Sequence, residues 1–238
     1  MADIPVITVD GPSGTGKGTI GVRLAQSLQW HFLDSGALYR SLALAAMRDG
    51  TGLEDSSRLH ELAATLNIHF GAGTGGQAVS VWLGDLEVTA DIRTEQCGNA
   101  ASRIAVYPGV RAGLLALQRS FQRNPGLVAD GRDMGTVVFP DAPLKIFLTA
   151  SAEERAKRRY KQLKEQGFSV NLARLSAEIA ERDQRDAERS VSPLVPANDA
   201  VIIDTTAVSA EAVGQQVMEL VRKTFPETAV RLPINQNR

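Results

Sequence analysis

The chain alternates short runs of apolar residues with stretches in which apolar residues recur every three or four positions. This alternation predicts an α/β fold in which a parallel sheet lies buried between helices. Five runs predict the strands of the sheet, at residues 6–9, 31–33, 127–129, 144–148 and 201–203. Four of them run into an acidic residue: Asp10, Asp34, Asp130 and Asp204. Because open α/β sheets bind ligands at the carboxyl ends of their strands, we expect a site along that edge.

A different pattern occupies the region between Ile68 and Thr89. Here apolar and polar residues alternate on both sides of Gly84-Asp85, which predicts a β-hairpin. We therefore expect a small antiparallel β insertion in the parallel fold. The glycine-rich residues 71–76 lack a lysine and precede no helical pattern, so they indicate a flexible turn.

A glycine-rich loop directly follows the first predicted strand. It comprises Gly11, Pro12, Ser13, Gly14, Thr15, Gly16, Lys17, Gly18 and Thr19. The G-x-x-x-x-G-K spacing lets successive backbone N–H groups turn toward a polyphosphate, and Lys17 adds a positive charge. Ile20, Leu24 and Leu28 then recur every four residues, so the loop opens a helix whose N-terminal dipole also faces the anion. A surface turn is the alternative, and the order of strand, loop and helix favours a phosphate-binding loop.

Position 18 departs from the usual phosphate-loop pattern. A serine or threonine commonly follows the lysine and binds Mg²⁺, whereas this chain has Gly18, with Thr19 one position later. The sequence therefore identifies no direct protein ligand for Mg²⁺. The Gly-Lys-Gly-Thr variant resembles nucleoside monophosphate kinases, in which the ion is held largely through water and the substrates' phosphates.

The length, composition and net charge of the chain restrict the classes of function that it can have. The chain has 238 residues, of which 43% are hydrophobic, and its formal net charge is −1. It is long enough for one α/β core with a small insertion, and its charge balance favours neither nucleic acid nor an anionic membrane as a partner. The sequence contains neither a signal-peptide pattern nor an apolar run long enough to span a membrane. We therefore expect small-molecule partners.

Cysteine and histidine residues show no metal-binding pattern. The single cysteine, Cys97, cannot form an internal disulfide, which fits a cytoplasmic location and excludes a cysteine-based zinc site. We expect its side chain to be buried. His31, His60 and His69 lack the spacing of metal ligands, so we predict structural roles for them.

Residues 151–190 concentrate charge. Ten of the 26 lysine and arginine residues lie in this stretch, with eight acidic residues among them. Ser151 and Glu154 predict a capping box at the start of one helix, Gly167 its end, and Asn171 the start of a second helix. The sequence therefore predicts a helical hairpin.

The second helix of this hairpin carries Arg182, Arg185 and Arg189 on one face, beside Asp186. Taken alone, such charges are typical of a solvated, salt-bridged surface. The phosphate loop changes that interpretation, because a transferred phosphoryl group needs further cations around it. An arginine-bearing hairpin that closes over the loop would supply them, so we predict an α-helical lid.

Further segments carry a family resemblance. They are residues 33–40 (LDSGALYR), 129–140 (ADGRDMGTVVFP), 181–186 (ERDQRD) and 193–197 (PLVPA). With the phosphate loop, they make the chain resemble bacterial cytidylate kinases, a family of P-loop nucleoside monophosphate kinases, over about residues 4–222.

The resemblance implies a three-layer P-loop fold and a division of the chain. A single domain would occupy residues 1–222, and we expect the tail at 223–238, which has no counterpart, to be loosely ordered. Within the domain, the core would comprise residues 1–60, 100–150 and 190–222, the acceptor-binding insertion about 61–99 and the lid about 151–189. A monomer is the expectation for this family.

The family pattern also implies residues that bind the acceptor nucleotide. Arg40, Arg132 and Arg189 would bind its phosphate, although a local ion pair with Asp130 or Asp133 is the alternative for Arg132. Cytosine presents one amino donor and two acceptors, so Asp133 or Ser102 would accept from the base and Arg111 would donate to it.

Sugar and catalytic contacts complete the implied site. Arg182 and Asp186 would contact the sugar, and Ser35 would line the acceptor site. Catalysis would use Lys17, Arg132, Arg155, Arg158 and Arg189.

The implied reaction transfers the γ-phosphoryl group of ATP to CMP or dCMP with Mg²⁺. The attacking phosphate oxygen is already an anion, so no general base is needed, and catalysis rests on positioning and electrostatic stabilisation. Two alternatives stay open at this point: a non-catalytic nucleotide-binding module, and a kinase for UMP, AMP or a metabolite such as shikimate. A GTPase is disfavoured because the sequence lacks an Asn/Thr-Lys-x-Asp motif.

Overall fold

The computed structural model describes residues 4–72, 79–165, 167 and 169–229. Its strands are β1 (Val6–Asp10), β2 (His31–Asp34), β3 (Ile68–Ala72), β4 (Val79–Leu83), β5 (Leu86–Glu87), β6 (Leu127–Gly131), β7 (Leu144–Thr149) and β8 (Val201–Asp204). Its α-helices are α1 (Lys17–Leu28), α2 (Ser35–Asp49), α3 (Ser56–Ala64), α4 (Glu95–Ile104), α5 (Pro108–Ser120), α6 (Ala152–Glu165), α7 (Leu172–Glu188), α8 (Ala210–Thr224) and α9 (Pro226–Ala229). A 3₁₀ turn at Asp91–Arg93 and a π-helical turn at Met134–Val138 complete the described elements.

A five-stranded parallel sheet, in the order β2-β6-β1-β7-β8, forms the centre of the fold. All five strands predicted from the sequence are confirmed, and each continues one or two residues past its predicted carboxyl end. The register sets Val9 opposite Asp130, and Asp34 opposite Asp130 on the other side. The predicted acidic edge therefore forms next to the loop that follows β1.

Helices cover both faces of this sheet, which confirms the three-layer architecture. Ile7 and Val9 of β1 pack with the apolar stripe of α1, including Ile20 and Leu24, and with α8. The opposite face is larger and packs strands β2 and β6 against α2, α3, α4 and α5. Both clusters hold side chains with almost no exposed surface, so the sheet is a rigid platform for the loops at its carboxyl edge.

The predicted antiparallel insertion is confirmed as a second sheet, in the order β3-β4-β5. Its tight turn lies at Gly84, which has a φ of 58°. Gly71 and Ala72 belong to β3, so the glycine-rich segment begins as a strand rather than as the predicted turn. Residues 73–78 of that segment lie outside the described part of the chain.

The predicted helical hairpin is formed by α6 and α7. Ser151 accepts from the N–H of Glu154 at 3.2 Å, Gly167 adopts a φ of 84° just after α6, and Asn171 caps α7 through the N–H of Arg174. The capping box is half formed, because the Glu154 carboxylate pairs with Arg158 instead. A small apolar cluster joins the two helices: Ala156, Leu163, Leu175 and Ile179.

The segment predicted to be a tail is helical in its first residues. Helix α8 extends to Thr224, and α9 occupies Pro226–Ala229 within the segment predicted to be a loosely ordered tail. Residues 230–238 lie outside the described part. Among the described residues, no helix is both long and apolar enough to cross a membrane. The predicted division into core, insertion and lid stays a prediction.

Two glycines with positive φ allow a test of the contact that fixes the loop after β1. A methyl group at Gly11 (φ 141°) would overlap the Leu148 carbonyl, whereas one at Gly50 (φ 76°) would meet open space. We expect Gly50→Ala to lower the free energy of unfolding by about 1 kcal/mol through backbone strain. Gly11→Ala should cost about 1–3 kcal/mol more, because overpacking adds to strain. Equal losses in denaturant titrations would contradict the contact with Leu148.

Candidate active site

The loop between β1 and α1 has the backbone of an anion-binding loop. Gly11, Gly14 and Gly16 adopt φ values of 141°, 82° and 95°, which side chains would oppose. Gly16 is the N-cap of α1 and provides no side-chain cap, so the first N–H groups of the helix are free to bind an anion. Lys17 begins α1, and its Nζ donates to the carbonyl of Pro12 at 2.8 Å. This hydrogen bond holds the Lys17 side chain against the backbone of the loop.

Three ionisable groups meet behind this loop. Burial lowers the pKa of Lys17 to about 7, with Arg132 adding to the effect and Asp130 opposing it. Burial also raises the pKa of Asp130 to about 7, and Lys17 opposes that shift. Asp10 has its pKa raised by burial to about 6, although the N–H groups of Gly135 and Met134 lower it. The charges of all three groups therefore depend on what binds beside them.

The larger of two cavities at the carboxyl edge has a volume of about 580 Å³, within the usual range of ligand sites. It extends from the phosphate loop to the hairpin α6–α7 and the segment after β8. Of the predicted loop residues, Ser13, Gly14, Thr15, Gly16 and Thr19 line it. Arg40, Arg158 and Arg182 also line it. The larger cavity thus combines backbone anion donors with cationic side chains.

The smaller cavity lies beside it and measures about 50 Å³. Its lining includes eight of the nine residues predicted to bind an acceptor: Ser35, Ser102, Arg111, Arg132, Asp133, Arg182, Asp186 and Arg189. These residues come from α2, α4, α5, the end of β6 and α7, so they are distant in sequence. The ninth, Arg40, lines the larger cavity instead and donates to the carbonyl of Ile92 at 2.7 Å.

Complementary polar groups line the smaller cavity. Arg111 pairs with Asp133, and both side chains are buried. The Arg111 guanidinium also donates to the carbonyl of Ala105 at 3.2 Å and lies 5.6 Å from the ring centroid of Tyr39. The buried Ser102 hydroxyl has no hydrogen-bond partner among the described residues. These residues therefore offer a fixed donor, a fixed acceptor and an unused hydroxyl.

Arg132, Arg182 and Arg189 add positive charge to the same cavity. Arg132 Nε donates to Asp186 at 3.1 Å, so the predicted alternative of a local pair with Asp130 or Asp133 is not the one observed. Among the described residues, Arg182 Nε and the Nε and NH2 groups of Arg189 are buried without partners. Desolvation, reinforced by the guanidinium groups of Arg132 and Arg40, lowers the pKa of Arg182 to about 9. Unpaired donors and mutual repulsion indicate a site for an anion.

Arg182 lines both cavities, which makes it the point where they meet. Arg185, on the same predicted face of α7, lines neither cavity and pairs with Glu181 at 3.3 Å. Arg189 follows the last residue of α7 and caps that helix. The predicted arginine row thus contributes its first and last members to the site.

The predicted lid arginines hold the hairpin to the core. Arg155 donates to the carbonyls of Ala150 and Ser13, both at 3.1 Å, and pairs with Asp183 of α7. Arg158 donates to Thr205 Oγ1 at 3.0 Å and lines the larger cavity, whereas Arg155 does not. The structure therefore brings Arg158 to a cavity and places Arg155 behind the phosphate loop.

Sequence reasoning missed some residues at this edge. Tyr39 lines the smaller cavity, its hydroxyl is buried without a partner among the described residues, and burial raises its pKa to about 12. Asp10 was recognised only as a strand end, and Asp130 as a strand end and an alternative partner of Arg132. The position of Tyr39 next to Arg40 in the LDSGALYR segment was the available signal.

Comparisons with known proteins agree with this geometry. The family model for cytidylate kinase matches residues 7–223. The chain belongs to the cytidylate kinase family. A cytidylate kinase from Shewanella frigidimarina (strain NCIMB 400) is 60% identical over 94% of this chain and 98% of its own length. Cytidylate kinases from Nitrosococcus oceani and Methylococcus capsulatus are 57% and 56% identical over 91% and 92% of this chain, and over 95% and 97% of their own lengths.

The cytidylate kinase match includes every residue with a predicted site role, from Gly11 to Arg189. It ends at residue 223, close to the predicted limit of the domain at 222. Cys97, which the sequence predicted to be buried, is a free and buried cysteine of α4. Among the described residues no group of three or more His, Cys, Asp or Glu side chains forms a metal site.

The ionisation of Lys17 in this cytidylate kinase family member predicts proton uptake when a polyphosphate binds. With a pKa of about 7, Lys17 is mostly neutral at pH 8, and a bound anion raises that pKa, so the amine takes up a proton. The anion raises the pKa of Asp130 as well, which adds uptake of the same sign. Calorimetric titration of ATP without Mg²⁺, at pH 8 in buffers of different ionisation enthalpy, should show net uptake that is smaller in Lys17→Met. Proton release would contradict these ionisation states.

Proposed function

We propose that the protein transfers the γ-phosphoryl group of ATP to CMP or dCMP, which gives ADP and CDP or dCDP. The observation that carries this proposal is the meeting of the two cavities at Arg182. One cavity begins at a phosphate loop, and the other combines unpaired arginine donors with polar groups complementary to cytosine. Membership of the cytidylate kinase family supports the same reaction.

The larger cavity is the proposed ATP site. The polyphosphate would bind the N–H groups of the phosphate loop and Lys17, whose Nζ would exchange the Pro12 carbonyl for phosphate oxygens. The nucleoside would extend toward Arg158, Thr205 and Val208, which line the same cavity. Arg155, which bonds to the Ser13 carbonyl, would act through the loop by holding its backbone in place.

Mg²⁺ belongs to the proposed donor site, and the residues present fit it as a partly hydrated ion. Asp130 is a suitable carboxylate beside the loop, because a methyl group at Gly18 in the first turn of α1 would lie 3.5 Å from its Oδ2. One carboxylate with substrate phosphates and water is a common way to hold Mg²⁺. When bound, the ion would neutralise charge on the donor phosphates.

The smaller cavity is the proposed acceptor site. Asp133 would accept from the cytosine amino group, Arg111 would donate to a base acceptor, and Ser102 would add its unused hydroxyl. Arg132, Arg182 and Arg189 would surround the acceptor phosphate. Uracil has a carbonyl where cytosine has the amino group, so binding it would leave polar groups unpaired, at about 1–3 kcal/mol each.

The smaller cavity must widen to admit a nucleotide. Its 50 Å³ is well below the roughly 300–1,000 Å³ of typical ligand sites. The pairs Arg111–Asp133 and Arg132–Asp186 cross it, so the acceptor would enter by taking over one member of each pair. A closed, self-paired acceptor site would also limit the entry of water.

Transfer then needs no proton acceptor. A phosphate oxygen of CMP attacks the γ-phosphorus, and the bond from that phosphorus to the β,γ-bridging oxygen breaks as the charge moves to ADP. Lys17, Arg132 and Arg182 would stabilise the charge that is shared in the transition state. Arg189 would hold the acceptor phosphate in line. Mg²⁺ dependence, a monomeric state, a cytoplasmic location and the absence of nucleic-acid partners are parts of this proposal.

The proposed function predicts which acceptors the protein uses. Purified protein with Mg-ATP should form ADP rapidly with CMP and dCMP, slowly with UMP and AMP, and at background level without an acceptor. Lys17→Met should lose turnover by about 10²-fold or more while remaining folded, because it removes a charge from the transition state. ATP binding without transfer to any acceptor would indicate a regulatory module, and preference for AMP or UMP would indicate a different kinase.

A substitution of Arg111 tests how the protein distinguishes cytosine from uracil. Arg111→Ala leaves Asp133 without its partner and removes the proposed donor to the base, so the kcat/KM ratio of CMP to UMP should fall by about 10-fold or more. Arg103→Ala is the matched control, because Arg103 belongs to α4 and pairs with the exposed Glu54. An unchanged ratio in Arg111→Ala, or an equal fall in the control, would contradict the base-reading role.

A further inference from the structure

One buried carboxylate joins the two halves of the site without lining either cavity. Asp10, the last residue of β1, is 5% exposed. Its Oδ1 accepts from the N–H of Met134 at 2.9 Å, and its Oδ2 accepts from the N–H of Gly135 at 2.8 Å. Both hydrogen bonds cross from the strand before the phosphate loop to the turn after β6.

That turn, residues 131–135, carries the acceptor-site residues Arg132 and Asp133. The N–H of Met134 belongs to the peptide group of Asp133, so the bond from Asp10 fixes the plane of that peptide. The Asp133 carbonyl in turn accepts from the N–H of Val137 at 2.9 Å, at the start of the π-helical turn. The direction in which Asp133 points is therefore set by backbone hydrogen bonds, and Asp10 supplies the anchoring pair.

The phosphate loop directly follows Asp10 in the chain. Its first residue, Gly11, lies so close to the Leu148 carbonyl that a methyl group there would overlap it. The backbone at position 10 is thereby fixed to the central sheet on the donor side, while its side chain holds the turn 131–135. Asp10 therefore adds two side-chain hydrogen bonds to the β1–β6 pairing, which ends at Asp10 and Gly131.

We infer that Asp10 is a positioning residue, which sets the turn 131–135 against the phosphate loop and thereby controls acceptor binding and base selectivity. The inference rests on the proposed function, because it needs the smaller cavity to bind the acceptor nucleotide. It requires both carboxylate oxygens as acceptors. An asparagine at this position offers one oxygen and turns an N–H group toward an amide N–H, so one hydrogen bond is lost and the turn is displaced.

Thr8 provides a matched control on the same strand. It lies two residues before Asp10, on the same face of β1, and is fully buried. Its Oγ1 has no hydrogen-bond partner among the described residues, and a methyl group at Gly135 would lie 2.9 Å from it. Thr8→Val keeps the shape of this contact with the turn and removes no hydrogen bond.

The test compares binding of the two nucleotides. For Asp10→Asn at pH 8, calorimetric titration should give a Kd for CMP at least 10-fold above that of the wild type, with the Kd for ATP changed less than 3-fold. The kcat/KM ratio of CMP to UMP should fall at least 5-fold, whereas Thr8→Val should alter none of these values. An unchanged Kd for CMP, or an equal loss of affinity for ATP, would overturn the inference.

A second variant, Asp10→Glu, tests the inference if Asp10→Asn does not fold. Asp10→Glu keeps both acceptor oxygens but lengthens the side chain, so it should displace the turn and raise the Kd for CMP, again without an equal effect on ATP. If thermal melts show that Asp10→Asn is unfolded, wild-type affinity for CMP in Asp10→Glu would overturn the inference. A wild type that binds CMP but does not phosphorylate it would contradict the proposed function alone, because the comparison of Kd values is still valid.

Discussion

The rest of the structure depends on a cluster of positively charged side chains at the phosphate loop. Lys17, Arg132 and Arg182 converge behind and beside the phosphate loop, and burial, reinforced by their mutual repulsion, lowers the pKa values of Lys17 and Arg182. Such a cluster is tolerated because Asp10, Asp130 and Asp186 lie among the cations. The five-stranded sheet makes this possible, since its parallel strands deliver acidic residues and loops to one edge.

Two ion pairs in the smaller cavity satisfy the side chains that we propose to bind the substrate. Arg111–Asp133 and Arg132–Asp186 satisfy one another where a base and a phosphate would bind. A ligand that offers an amino donor to Asp133, an acceptor to Arg111 and a phosphate to Arg132 would replace the hydrogen bonds of these pairs. Asp186 would keep Arg182 and Arg189 as neighbouring cations. A ligand that lacks the amino donor, the acceptor or the phosphate leaves part of the site unsatisfied. Under the proposed function, selectivity and the small volume of this cavity would thus arise from the same side chains.

Local patterns were enough to predict the strands, the phosphate loop and the caps of α6 and α7, because period and capping act within a few residues. The family resemblance supplied the predicted acceptor residues, eight of which share one cavity. The contacts of Asp10 with Met134 and Gly135 escaped prediction, since they need β6 beside β1, an order that periodicity does not specify. The bond from Arg155 to the Ser13 carbonyl escaped prediction for the same reason, and the catalytic role of Arg155 stays a prediction.

The arginines of α6 connect the hairpin to three parts of the fold. Arg155 reaches Ser13 in the phosphate loop, Arg158 reaches Thr205 after β8, and Arg159 reaches Glu95 at the start of α4. Arg155 also pairs with Asp183, the neighbour of Arg182 on α7. A movement of α7 would therefore shift both the arginine shared by the two cavities and the side chain that supports the loop. Under the proposed function, a hairpin connected in this way would link the donor site to the position of Arg182, so that the two proposed nucleotide sites would act as one unit.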